Sequence, residues 1–179
     1  MVKNFDICQI PVNHLRINTQ ACHAYFILKE TKMTELTGGC LCGSIRFTCK
    51  SGPIASYACH CRFCQRSLGT AYRAAMSFNY DDVIFNDGAM TKYTYKSDEH
   101  GRELYIHFCP TCSTQVTATT ERFPDRRVMM IGTLDDPSQI DVSMHMFADE
   151  SFHWVSAHDD DLVYAKHRMN EDGSAADPI

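Results

Sequence analysis

Gly38-Gly39-Cys40-Leu41-Cys42-Gly43-Ser44-Ile45-Arg46-Phe47-Thr48-Cys49 carries the two signals that decide how this chain folds. Its second half alternates. Ile45, Phe47 and Cys49 point one way and Arg46 and Thr48 the other, the period of two expected of a strand with one buried face. Its first half sets two thiols one residue apart among glycines, whose missing side chains let a loop tighten until both sulfurs face one centre. Cysteines this close cannot easily bridge each other, because a disulfide needs opposed Cβ vectors at a set separation. They can share a metal ion, and tetrahedral Zn²⁺ is the usual partner of clustered sulfur.

Two further clusters lie outward from this stretch, Cys59-His60-Cys61-Arg62-Phe63-Cys64 and Cys109-Pro110-Thr111-Cys112, so that seven of the ten cysteines are grouped. In the last of them two intervening residues turn both sulfurs inward, and proline pre-sets φ for the turn. Cys40, Cys42, Cys109 and Cys112 together make a four-sulfur site that ties the start of the domain to its middle. A closed site of this kind contributes folding free energy and leaves no room for substrate. Cys59, Cys61 and Cys64 fall within six consecutive residues and can bind a second ion without distant help. The expectation is therefore two Zn²⁺ per chain, one filled site and one with a vacancy. His60 or His107 could fill that vacancy. His60, however, lies awkwardly between two ligands, and His107 falls on an expected strand, so ligand count favours the open position.

Ligand type narrows the chemistry. Three thiolates leave the metal centre net negative and make it a poorer activator of water than a three-histidine site. A soft, sulfur-rich centre suits a thiol in the open position, and coordination turns a group of pKa about 8.5 into thiolate at neutral pH. Making or breaking a carbon–sulfur bond is more natural here than hydrolysis, with Cys59, Cys61 and Cys64 as the catalytic residues. No phosphate loop, nucleophilic serine motif or dinucleotide fingerprint is present.

Beyond the cysteines the chain reads as short strands, at Ser44–Cys49, Tyr72–Phe78, Lys92–Tyr95, Leu104–Phe108, Gln115–Thr119, Val128–Ile131 and Val142–Phe147. Turn-rich pieces such as Ser51-Gly52-Pro53 and Asp135-Asp136-Pro137 separate them. Without a long helical pattern this predicts an all-β domain of small packed antiparallel sheets stapled by zinc. Residues 1–32 show no sustained period and are expected to be an N-terminal extension outside the core, with Cys8 and Cys22 not ligands. Residues 33–169 form the zinc-binding domain, and 170–179 a polar tail expected to fray. Cys49 is expected in the core and the run Asp159-Asp160-Asp161 in a solvated turn. Arg62 and Arg66 are open to two readings, as partners of a substrate carboxylate or as surface charges.

The formal net charge of −5, with no basic stripe, argues against nucleic acid as a partner. No segment supplies the roughly 20 apolar residues of a membrane span, and the start of the chain does not read as a signal peptide. A cytoplasmic, reducing setting is expected, where clustered cysteines are metal ligands rather than disulfides.

Taken in order, Gly38–Phe47, the stretch from Cys59 through Cys64 to Gly69, Phe108–Cys112 and the later Gly132–Pro137 resemble the glutathione-dependent formaldehyde-activating (GFA) family, which includes centromere protein V-like zinc proteins. The resemblance runs from Thr37 to about Tyr164 and implies a tent-like β fold, a β-tent. It also implies structural zinc on Cys40, Cys42, Cys109 and Cys112, and a thiol site at Cys59, Cys61 and Cys64. The activity it implies is that of a carbon–sulfur lyase joining glutathione to formaldehyde, an S-(hydroxymethyl)glutathione synthase. Ser113 departs from the family pattern, which often has glycine after the second knuckle cysteine. The rival reading is a non-catalytic, zinc-stabilised binding module on the same scaffold; a third is a thiol-redox sensor.

Overall fold

A computed structural model of the chain describes residues 35–86, 88–98 and 100–179. The expected extension at 1–32, with Cys8 and Cys22, lies outside the described residues.

The opening stretch forms the smaller of two sheets. β1 (Leu36–Gly39) pairs antiparallel with β2 (Arg46–Cys49), which pairs on its other edge with β5 (Val83–Phe85). Ile45, Phe47 and Cys49 are all buried, as the alternation requires. The strand starts at Arg46 rather than Ser44: its ladder with β1 ends at Gly39–Arg46, and the Ile45 amide donates to Cys40 Sγ at 3.2 Å, while the Ser44 hydroxyl lies 3.2 Å from Cys42 Sγ and 3.3 Å from Cys109 Sγ. Asp135 ties this sheet to the rest of the domain. Its carboxylate accepts from Thr37 Oγ1 at 2.7 Å and pairs with the Arg46 guanidinium, and these contacts, Arg46 first, hold its pKa below the usual carboxylate value.

The second sheet has eight strands in the order β11-β10-β3-β4-β9-β8-β7-β6. They are β3 (Ala55–Cys59), β4 (Arg73–Asn79), β6 (Thr91–Lys96), β7 (Glu103–Phe108), β8 (Gln115–Thr120), β9 (Phe123–Met130), β10 (Met144–Met146) and β11 (Leu162–Val163). The fold is all-β as expected, but this sheet is neither small nor wholly antiparallel, since β10 runs parallel to both β3 and β11. The core lies between the two sheets. Leu36, Ile45, Phe47, Cys49 and Val83 meet Met76, Phe78, Val116 and Met129, with Cys109 among them. Burying each of the larger side chains stabilises the fold by roughly 1.5–3 kcal/mol.

Among the described residues one α-helix interrupts the strands, α1 (Arg62–Leu68). Seven residues are too few to register as a periodicity, and its ends are defined by caps instead. Cys61 is the N-cap, its sulfur accepting from the Cys64 amide at 3.4 Å, and Gly69 closes the other end at φ +66 in the left-handed region. The C-terminal tail, expected to fray, is bonded back. The Ile179 amide donates to Val163 O at 2.8 Å and the Ala176 amide to Arg168 O at 3.0 Å, while Arg122 donates to the Asn170 carbonyl.

Candidate metal centre

Cys40, Cys42, Cys109 and Cys112 converge as the sequence predicted, all four sulfurs lying within 4.8 Å of one another. Cys40 and Cys42 reach the site from the turn after β1, which Gly43 closes at φ +79. Cys109 and Cys112 come from the turn after β7, held by amide bonds from Cys109 to Thr114 O and from Ser113 to Cys109 O, each 2.9 Å. The Cys112 thiol is pulled down to about 5 because Thr114 donates to it, first through its hydroxyl and then through its amide.

Cys59, Cys61 and Cys64 form the second group under the same 4.8 Å limit, with Cys59 Sγ 3.5 Å from both Cys61 Sγ and Cys64 Sγ. Sulfurs bound tetrahedrally to zinc at 2.3 Å stand about 3.8 Å apart. The spacings in both groups match that figure and are far from the roughly 2.05 Å of a disulfide. All eight cysteines of the described residues are free thiols, so the donor sets fit zinc. Within the trio Cys61 ionises first. Hydrogen bonds from the Cys59 and Cys64 thiols lower its pKa to about 3, the Cys64 amide and the Arg73 charge adding to them, and Cys59 is correspondingly pushed up.

Among the described residues no histidine or carboxylate joins the trio as a fourth donor. His107 lies on β7, away from it. His60 is turned aside by the sheet topology. Because β10 runs parallel to β3, with Met146 opposite Cys59, the His60 amide donates to Met146 O at 2.9 Å and its ring meets His145. His60 Nε2 is 2.9 Å from His145 Nδ1, and the rings stack at 5.2 Å with an interplanar angle of 15°. The parallel pairing of β11 then delivers Asp161, whose carboxylate lies 3.3 Å from His145 Nε2. A proton on His145 Nε2 bonds to this carboxylate, which leaves Nδ1 to accept from His60 Nε2 and His60 Nδ1 bare. That Nδ1 is buried without a partner, burial lowers the His60 pKa, and the ring packs behind the ligand loop. The acidic run is thus not wholly a solvated turn: Asp161 is tucked in, and its side chain is 8% exposed.

Gln65, 3% exposed, holds the loop from the helix side. Its amide nitrogen donates to His60 O at 2.7 Å and Glu150 O at 2.9 Å, while Oε1 accepts from Arg62 Nη1 at 2.7 Å. Arg62 is therefore engaged within its own helix, and Arg66 is exposed. Cys49 lies in the core as expected, fully buried, with its thiol pushed up to about 12 by that burial.

The trio opens onto a cleft of about 450 Å³, whose walls include Tyr57, Phe63, Arg73, Arg102, Arg122 and Glu150. This size is ordinary for a small-molecule site. Phe63 stacks on Tyr95 at 4.5 Å and lies under the Arg73 guanidinium at 5.5 Å. Arg73, Gln65 and Asp161 are the residues sequence reasoning missed. Arg73 sits between Tyr72 and Ala74 with no motif of its own, Gln65 lies in the familial stretch but carries no signal of its role, and Asp161 looks like any solvated acid until the sheet is assembled.

Among curated proteins none matches this chain. A crystal structure of a Rhodobacter sphaeroides protein, a structural genomics target, is similar at 21% identity and a TM-score of 0.47, over 59% of this chain and 96% of that one. The model of the family described as glutathione-dependent formaldehyde-activating enzyme matches residues 35–150, which span both cysteine groups, and the chain belongs to that family.

Proposed function

We propose that the protein is a zinc-dependent carbon–sulfur lyase-type enzyme that binds a small thiol such as glutathione at Cys59, Cys61 and Cys64. It would form or break the bond between that thiol and a small aldehyde. The observation that carries this reading is three sulfurs at zinc spacing, lining a cleft, with no fourth donor beside them among the described residues. Family membership and the matched family's name support it. Zinc held by the trio would keep an incoming thiol as thiolate near neutral pH. In the forward direction the thiol sulfur bonds to the aldehyde carbon, the carbonyl π pair moves onto oxygen, and the proton given up by the thiol ends there. The reverse reaction breaks the carbon–sulfur bond.

The chain's own residues hold the ligand loop and shape the cleft. Gln65 and the His60–His145–Asp161 chain keep the three sulfurs from spreading. Phe63 and Tyr95 form an apolar wall. Arg102 and Arg122 are already satisfied by Glu171, at 2.8 and 3.1 Å, and leave a rim of fixed charge. A second zinc on Cys40, Cys42, Cys109 and Cys112 would be structural, and a reducing cytoplasm would keep all these thiols available.

Cobalt substitution followed by addition of glutathione tests the reading. The cobalt spectrum should change at the trio, and Cys61→Ala should abolish both that change and thiol-dependent turnover while circular dichroism stays native. A spectrum indifferent to glutathione would leave the zinc-stabilised binding module as the better description.

A further inference from the structure

Arg73 is an expensive residue to place where it is. It is 5% exposed on β4, opposite Cys59 in the β3–β4 register. Its guanidinium has one hydrogen bond to a side chain, Nη2 to Ser67 Oγ at 3.1 Å, and its Nε is buried with no partner at all. Among the described residues no carboxylate pairs with it, although Arg46, Arg102 and Arg122 each have one. Stacking over Phe63 recovers only part of the desolvation cost of an ion that, unpaired, is strongly unfavourable.

The missing counter-charge lies in the same cleft, where Arg73 and the three cysteines share a wall. Three thiolates around a divalent cation sum to one net negative charge, and an incoming thiolate makes two. We infer that Arg73 is the counter-ion of the three-cysteine metal centre, a positioning residue that holds the metal-loaded trio and favours an anionic fourth ligand. The inference rests on the proposed metal occupancy of the trio. It adds what neither the ligand set nor the family match contains: a cation outside the coordination shell that balances the centre's charge. Ser67, near the end of α1, and Phe63, within it, orient the guanidinium, so the helix that carries Cys64 and has Cys61 at its N-cap also carries the support of their counter-ion.

The test is zinc affinity, read independently of turnover. Chelator competition on the full chain resolves zinc at the trio from zinc at Cys40, Cys42, Cys109 and Cys112, which serves as the internal control. Arg73→Met removes the charge and keeps much of the packing. Arg73→Gln keeps in addition a donor for Ser67 and stands in should the methionine variant fail to fold. Removing a partner outside the coordination shell typically costs 10–100-fold in metal affinity. Zinc at the trio should weaken by that factor in both variants, with the control site unchanged and far-ultraviolet circular dichroism native. Arg73→Lys should recover most of the loss, since it restores the charge without the fork. Cobalt-loaded Arg73→Gln should also bind glutathione more weakly than cobalt-loaded wild type. Trio affinity within twofold of wild type in a folded Arg73→Gln protein overturns the inference and leaves the proposed function standing. Rescue no better with lysine than with glutamine assigns Arg73 to shape rather than charge and overturns it too. A wild-type trio that takes no zinc under reducing conditions removes the inference and the proposed function together.

Discussion

Replacing Ser113 with glycine should stabilise this protein, by an amount its backbone sets. Ser113 follows Cys112 in the second knuckle, and its amide bond to Cys109 O at 2.9 Å closes the turn that aims both sulfurs inward. The turn requires φ +59 at Ser113, one of two non-glycine residues of the described chain in the left-handed region. For an L-residue that conformation costs about 1–2 kcal/mol, because Cβ crowds the following carbonyl. Glycine removes the clash and loses about 0.5–1 kcal/mol more backbone entropy on folding. The Ser113 side chain is exposed and has no hydrogen bond among the described residues, so little else changes. The net gain is about 0.5–1 kcal/mol, or roughly 1–4 °C in Tm for a chain of this size. Thermal unfolding of the zinc-loaded protein reads it directly, with Ser113→Ala as the control that keeps the strained φ and removes only the hydroxyl. Glycine should raise Tm and alanine should not. Equal Tm for the two variants would refute the reasoning, since the strain would then not reside in Cβ.

Cys109→Ala should destabilise the whole domain and release one zinc, because Cys109 is part of the core between the sheets and would be a ligand of the proposed structural zinc; a native melting temperature in that variant would contradict that assignment. Gln65→Leu should cost about 2–3 kcal/mol in urea unfolding, since it leaves the buried His60 carbonyl and the Glu150 carbonyl without their donor. His167 gives a pH signature. Burial first, then the Arg122 charge, lowers its pKa to about 4, whereas the unfolded chain takes up that proton near 6.5. The resulting penalty is nil above about pH 6.5 and full below about pH 4, at most about 3 kcal/mol before solvent screening of this half-buried ring is discounted. Urea melts between pH 7 and 4 should therefore fall less steeply for His167→Asn than for wild type, zinc loss being common to both; parallel curves would show that the proton is not taken up there.

The strands that sequence made visible are those long enough to carry a run of strand-forming residues between turn signals. β2, β4, β6, β7, β8 and β10 fall within two residues of where alternation placed them, whereas β9 starts five residues earlier than expected, at Phe123. β3 was invisible because Ala55-Ser56-Tyr57-Ala58-Cys59 lies between β4 and β10 and shows no alternation, and small residues there suit close neighbours on both edges. β1 is half glycine, β5 and β11 are too short to carry a period, and α1 spans two turns. The parallel pairing of β10 is a non-local choice with no local signature, made after a long excursion from β9.

The candidate site divides along the same line, and the division has a chemical reason. Metal ligands must sit on one ion, so short turns carry them, and spacing of one or two residues betrays them in the sequence. Charge compensation and loop support obey no such spacing, because a guanidinium or an imidazole chain acts across strands. Arg73 reaches Cys59 through a β-ladder, and Asp161 reaches His60 only through two successive parallel pairings. Four sulfurs that fill a coordination shell need no such partners, and the knuckle site is completed locally by Ser44 and Thr114 hydroxyls. Three sulfurs would leave a shell short, and beside them lie Arg73, His60 and Gln65, three of the five buried polar residues among the described residues; the other two, Thr117 and Arg127, lie elsewhere, Arg127 stacked on Tyr80 and Phe85. A buried guanidinium without a carboxylate is unfavourable unless something compensates it, and beside the three-cysteine group the proposed metal centre would be that compensation.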